Sequence, residues 1–294
     1  MNTSEAVSSQ ATRPTAKEPL ALVGEALSAR FAGGEVELPL LPRVATEVFT
    51  LARDEEQGAN SIARLLQQDP ALAGHVLRIA NSPAYMPRSP IVSLQQAITR
   101  LGVRLLGEIA LIASLQSGVF DVRGRRVELR AIWRHALASA AFGREIARAL
   151  RCNVESAFLC GLLHTIGKPL VLQAAVDLEA SLRAPLRDDE LASLLEEFHV
   201  TAGGLLAEKW SLTAAVRSCI ESYATYDSHE ILAQEPVITG LADHLARHLL
   251  SETLDDDLVR SHRGWADLNL YPDDAEAVLA KHEAVSAALR TMVL

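Results

Sequence analysis

Aromatic residues are scarce in this chain, 4% of 294 residues, and Leu and Ala dominate the apolar set. The strand-forming β-branched and aromatic types are in the minority, while Leu and Ala are strong helix formers. An all-α fold is expected before any pattern is read. Cysteine is equally sparse. Cys152, Cys160 and Cys219 fall in no CxxC or comparable ligand spacing, which fits a reducing compartment rather than a disulfide framework. No uninterrupted apolar run reaches the roughly 18–20 residues of a membrane helix. Residues 1–10 carry neither the basic start nor the apolar core of a signal peptide. A cytoplasmic, non-spanning protein is expected. Net basic charge is lacking too: 28 Lys and Arg stand against 37 Asp and Glu, giving −9. Nucleic-acid binders usually show a basic stripe that releases phosphate counterions, so neither a nucleic acid nor a membrane is an expected partner. The densest basic run, Arg123, Arg125 and Arg126, is flanked by Asp121 and Glu128 and reads as a solvated loop. Gly-rich phosphate loops are absent, and no Ser, Thr or Cys has a recognisable nucleophile setting.

What is present is helical punctuation. Residues 1–19, rich in Ser, Thr, Ala and charge, read as a disordered tail. A first helix over 20–31 ends at Gly33-Gly34. Leu38-Pro39-Leu40-Leu41-Pro42 enforces an extended segment. Val44, Val48 and Leu51 share a helical face. Asn60 or Ser61 caps a helix carrying Ile62, Leu65 and Leu66. Asp69-Pro70 is a start signal, and that helix stops at Asn81-Ser82-Pro83. Ser93 with Gln96 forms a capping box, and Gly102 marks a break. The polar loop 121–128 is the best internal boundary. A long helix over 131–150 follows, holding Trp133. Asn153 caps the next, which runs through Ala157, Phe158, Leu162, Leu163 and Ile166 to Pro169. It is apolar nearly all round, as a central bundle helix would be. Further helices are expected at 188–198, 199–210 (with Gly203-Gly204 permitting close packing), 213–223 and 231–250. An amphipathic tail spans 275–292. The division is a tail over 1–19, an N-terminal helical subdomain over 20–124, a second helical subdomain over 125–250 and an extension over 251–294.

One element carries chemistry: Gly161-Leu162-Leu163-His164-Thr165-Ile166-Gly167-Lys168. A buried imidazole needs partners for both nitrogens. His135, His199 and Asp243 sit on other predicted helices that could converge on it, and bundle cores build metal sites in this way. The bland alternatives are a satisfied core histidine at 164, a hydrogen-bond hub at 243 and a helix-start residue at 199. Lys168 reads as a side chain snorkelling from a helix end, where a cation meets the dipole favourably. Trp133 and Trp210 read as core anchors.

"GLLHTIGK" resembles the "LLHDIGK" signature of the HD superfamily of metal-dependent phosphohydrolases. "LPLLPRVATEVFTLARDEE", "LLQQDPALAGHVLRIANSPAY" and "IVSLQQAITRLG", with "IWRHALASA" and "FHVTAGGLLAEKWSL", narrow the resemblance to the HDOD family over roughly 37–250. The resemblance implies a two-part helical bundle: an N-terminal helical subdomain and an HD-like one. It places the superfamily's metal ligands on His135, His164 with Thr165, and Asp243, with His199 as a further family histidine. The chain departs from the pattern at Thr165, where the signature has aspartate, and at Tyr223, Ala224 and Thr225, where relatives often show a histidine pair.

A neutral hydroxyl is a poor substitute for a bridging carboxylate. The remaining set suits at most a single zinc-like ion, not a two-metal clamp. No cofactor is therefore expected beyond one divalent metal, and no catalytic residue is assigned. The resemblance implies a non-catalytic regulator of bacterial signal transduction, in motility, stress or cyclic-dinucleotide circuits. It would act through signalling proteins or as a homo-oligomer. The alternative is a metal-dependent phosphohydrolase acting on a nucleotide or cyclic dinucleotide. A third reading is a binding module for a small phosphorylated messenger, depending on Lys168 or Arg134. The cleft between the two helical halves is the natural contact site.

Overall fold

The computed structural model describes residues 18–51, 55–81, 89–120, 122–228, 233–251 and 256–292. Most of the predicted tail, the Val48, Leu51 and Asn60 side chains, Ser82, Pro83 and Asp121 lie outside the described residues. Among the described residues there are helices and no strand. Helix α1 (Pro19–Gly33) ends on Gly34, whose φ of 68° closes a left-handed cap. Next come α2 (Arg43–Leu51), α3 (Glu55–Gln68), α4 (Pro70–Ala80) and α5 (Leu94–Gln116). The HD-like half holds α6 (Arg126–Ala149), α7 (Val154–Leu163), α8 (Gly167–Leu182), α9 (Asp188–Lys209), α10 (Ala214–Ser222), a 3-10 turn (Tyr226–Ser228) and α11 (Gln234–Leu250). The extension adds α12 (Asp256–Arg260), α13 (Gly264–Asp267), α14 (Pro272–Leu279) and α15 (His282–Met292).

Local capping chemistry sets many of these boundaries. Asp69 Oδ1 accepts the Leu72 N–H at 2.9 Å, with Pro70 in the first turn. Asn153 Oδ1 accepts from Ser156 N–H at 2.9 Å. Such caps satisfy backbone donors that the helix itself leaves orphaned. The box at Ser93 is displaced by one residue. Ser93 Oγ accepts the Gln96 N–H at 3.2 Å, but Gln96 Oε1 accepts from Val92, not Ser93, at 3.0 Å. Gly102, at φ 77°, bends α5 where a break was expected.

Three expected boundaries are corrected. Helix α3 begins at Glu55, ahead of the predicted cap at Asn60 or Ser61; Glu, Gln and Ala before it are all compatible with helix. The stretch predicted as one helix from Asn153 to Pro169 is two, parted by a tight turn at residues 164–166. Pro169 lies in the first turn of α8, where its missing N–H is no loss. The two helices predicted over 188–198 and 199–210 are one, α9. No Pro or Gly separates Phe198 from His199, so nothing local stops the helix.

Helices α2, α3, α4 and α5 pack on one another. In the other half α6 packs on α7 and α11, α8 lies on α9, and α10 touches α7, α9 and α11. Helix α1 packs on α8 and α9, away from the N-terminal helices it precedes. Helices α14 and α15 fold back on α6. Trp133 and Trp210 are buried, and Trp210 Nε1 donates to the Pro39 carbonyl at 2.8 Å, pinning the extended segment to the end of α9. Val154–Leu182 is long and apolar enough to cross a membrane by composition, yet its most apolar window is 78% buried inside the protein. It is a core helix pair.

The two halves meet at a buried ion pair. Glu108 of α5 accepts from Arg144 of α6, and the Arg144 guanidinium lies 4.4 Å from the centre of the Phe158 ring. Burial outweighs Arg144 and lifts the Glu108 carboxyl from 4.5 to about 7. A carboxyl whose folded value is raised adds stability that is full below its unfolded value and lost as pH rises through the folded one. Glu108→Gln should therefore flatten the fall in stability between pH 4.5 and 7 relative to wild type. The difference should be on the order of 3 kcal/mol, read from denaturant midpoints across pH. Identical slopes in both proteins would contradict it.

Candidate metal centre

Three elements each bring one side chain to a common point. His135 lies midway along α6, His164 in the turn between α7 and α8, and Asp243 midway along α11. One ligand atom from each lies within 4.8 Å of the others. Asp243 Oδ1 is the focus, 2.7 Å from His135 Nε2 and 3.2 Å from His164 Nε2. His164 is fully buried and Asp243 nearly so.

The local chain explains why His164 is held there. After Leu163 the helix tightens, with Ile166 N–H bonding the Leu163 carbonyl and Lys168 N–H the Thr165 carbonyl. Glycines flank this turn where backbones touch. A Cβ on Gly161 would lie 2.7 Å from Ala140 Cα, and one on Gly167 only 1.9 Å from the His199 carbonyl oxygen. The turn is thus wedged between α6 and α9. Gly203 also serves close packing, since a Cβ there would meet Ile220 at 2.7 Å, whereas Gly204 faces open space.

His164 Nδ1 donates to the Gly161 carbonyl at 2.7 Å. In a neutral imidazole this leaves Nε2 as the lone-pair nitrogen, facing a carboxylate oxygen. Two acceptors at 3.2 Å need a cation between them, either a proton or a metal ion. Metal-bound histidines commonly donate their other N–H to a backbone carbonyl. His135, His164 and Asp243 therefore fit one divalent ion of the zinc type. Thr165 is buried beside His164, and its hydroxyl has no hydrogen-bond partner.

The surroundings are already charge-balanced. Asp243 Oδ2 accepts from Arg247 Nε at 2.9 Å, and Lys168 Nζ donates to Glu196 at 2.6 Å. Burial pushes the Asp243 carboxyl up, but the His135 and His164 rings against it outweigh that and hold the group well below its usual value. Burial lowers His135 against the pull of Asp243.

His199 is buried close by, in mid-helix rather than at a helix start, because α9 runs through it. Its Nδ1 donates to the Glu196 carbonyl at 2.9 Å, and its Nε2 accepts from the Tyr223 hydroxyl at 3.0 Å. Both nitrogens are thus occupied by the protein. Lys168 opens α8 instead of closing a helix; the dipole there disfavours a cation, and Glu196 neutralises it. Arg134 is exposed on α6. The sequence reading missed Arg247, Glu196 and the role of Tyr223, whose ring meets His164 edge-on at 4.6 Å. The i,i+4 spacing of Asp243 and Arg247 was a legible signal; Glu196 with Lys168 had none, being on separate helices.

The HDOD domain description matches residues 38–226, ending before α11 supplies Asp243. The fold is similar to that of an HDOD domain protein of unknown function from Geobacter sulfurreducens, with TM-score 0.71 and 22% identity, covering 94% of this chain and 98% of that one. A protein of Shewanella amazonensis SB2B, provisionally named a phosphohydrolase, is similar with TM-score 0.65 and 24% identity, covering 91% and 98%. At these identities the likeness shows the fold alone. An uncharacterized protein of Treponema pallidum is 24% identical over 253 residues, or 80% of this chain, which spans about half (47%) of that relative's length. With nearly two thirds of its length matched by one domain family and its fold shared with that family's structures, the chain belongs to the HDOD family.

Proposed function

We propose that this chain is a non-catalytic regulatory module that acts through contacts with signalling proteins or with a second copy of itself. One observation carries this reading. Where a two-metal phosphohydrolase site needs a second carboxylate and a second cation, this chain has the neutral Thr165 hydroxyl and the Arg247 guanidinium on Asp243 Oδ2. A divalent ion on His135, His164 and Asp243 would supply Lewis-acid chemistry and a more acidic bound water. The protein groups around it are arranged to hold rather than to turn over. His199 and Tyr223 occupy each other, Lys168 is committed to Glu196, and no further carboxylate reaches Thr165 among the described hydrogen bonds. The convergence of His135, His164 and Asp243 favours a second reading, a phosphohydrolase acting on a nucleotide or cyclic dinucleotide.

One experiment separates the two. The purified full chain is loaded with zinc or manganese, its metal content is measured, and hydrolysis of nucleotides and cyclic dinucleotides is assayed. The expected result is no more than one ion per chain, lost in His164→Ala, and no hydrolysis above blank. Two ions per chain, or hydrolysis abolished by His164→Ala, would overturn the regulatory reading.

A further inference from the structure

Among the described residues several arginines are paired with acids, and others are not. Arg125 binds Glu128, Glu179 and Asp188; Arg144, Arg148, Arg187, Arg247, Arg260 and Arg263 each have a carboxylate. Among those others, Arg126, Arg130 and Arg134 are set apart by their spacing. They stand at four-residue intervals on α6, exposed, with no ion pair among the described residues. Like charges four apart repel on a helix, and Arg126 also sits at the end of the dipole that disfavours cations. Such an arrangement works against local stability in a chain whose net charge is −9.

Two neighbouring cavities open on this ladder, and Arg130 lines both. One, of about 710 Å³, adds Arg123 and Arg126 to walls that include Phe120, Leu129 and Trp133. The other, of about 390 Å³, adds Arg134 and Arg290, with Leu249, Leu250 and Leu289. Among the described residues no carboxylate lines either one. The first cavity is built from the connection between α5 and α6, where the N-terminal helices join the HD-like half. The second rests on α11 and the C-terminal extension. These volumes suit a small ligand, and walls that combine apolar side chains with a few convergent charges are found in such sites.

We infer that the arginine ladder of α6 binds a small ligand carrying two or more phosphate groups, of the nucleotide class. Successive arginines are about 6 Å apart along the axis, so phosphates in the two cavities would share Arg130 between them. Guanidinium forks suit phosphate oxygens, and the apolar walls would take an uncharged base. The net charge of −9 disfavours an extended polyanion, which would have to run beyond the ladder. The inference goes beyond the metal centre and holds whether or not that centre is catalytic.

The test is calorimetric titration of the full chain with inorganic tripolyphosphate, ATP, a cyclic dinucleotide and single-stranded oligonucleotides of increasing length, at physiological ionic strength. At least one of the small probes should bind saturably at one per chain. Arg130→Glu should weaken it at least tenfold, Arg126→Glu and Arg134→Glu several-fold, and Lys209→Glu, an exposed change at the end of α9, not at all. Glutamate at 130 replaces two repulsive spacings by two attractive ones, so the variant should melt no lower than wild type. Saturable binding by no small probe, binding indifferent to Arg130→Glu, or affinity that grows with oligonucleotide length would each overturn the inference.

Discussion

Gly167→Ala is expected to destabilise the protein by about 3 kcal/mol or more, the cost typical of overpacking against an unyielding neighbour. The added methyl would stand 1.9 Å from the His199 carbonyl oxygen and 2.5 Å from the Gly203 nitrogen. Both are backbone atoms inside α9, so no side chain can swing aside and α8 must move from its seat. For a chain of this size the melting temperature should fall on the order of 10 °C. Gly204→Ala gives the control, because nothing lies within 4 Å of the added carbon. Alanine is the better helix former in a helix interior, so that change should raise stability by up to about 1 kcal/mol. An alanine at 167 tolerated as readily as one at 204 would mean that α8 and α9 are not in backbone contact. Since the same contact wedges the His164 turn, Gly167→Ala should also weaken metal uptake beyond what its stability loss explains.

Asp243→Asn should cost about 2–3 kcal/mol, measured by denaturant unfolding in the presence of a chelator. Removing one partner of a buried ion pair commonly costs about 3–5 kcal/mol. The smaller figure follows because Arg247 is half exposed and can turn to water. The substitution also changes the acid limb. Asp243 is held well below its usual carboxyl value. Such a group contributes stability that is present above its unfolded value, near 3.8, and is lost as pH falls through the folded one. Wild type should therefore lose stability more steeply than Asp243→Asn below about pH 4. His135, lowered by burial, adds a loss in both proteins as pH falls below about 6.5, because the unfolded chain then binds the extra proton. Parallel acid limbs in the two proteins would show that Asp243 is not the charged focus of the cluster.

Much of the fold and some of the centre could be read before any coordinates. Asp69, Ser93 and Asn153 announce their helices through a short side-chain oxygen that accepts a backbone N–H three residues on, a contact complete within one turn. The three residues of the metal centre were legible as residue types in a motif, and the structure brings all three together. The helix boundaries around them were not legible. Nothing in Leu163-His164-Thr165-Ile166 is a breaker by propensity, and the turn there reflects backbone contact with α6 and α9. His199 was read as a helix start, but α9 runs through it and its ring is held by Glu196 and Tyr223.

The amino-acid sequence by itself determined the all-helical class, most helix starts and the bend at Gly102, because each depends on a residue's own conformational preference within a turn or two; His135, His164 and Asp243 were named through the resemblance to the HD signature. Only the tertiary structure decided that α1 joins α8 and α9, that Arg247 and Glu196 balance the charges of the centre, and that Arg126, Arg130 and Arg134, with no ion pair among the described residues, face two cavities. Those outcomes depend on which helix faces meet across distant parts of the chain. No local preference encodes such a meeting; the sum of packing and charge pairing over the whole core selects it.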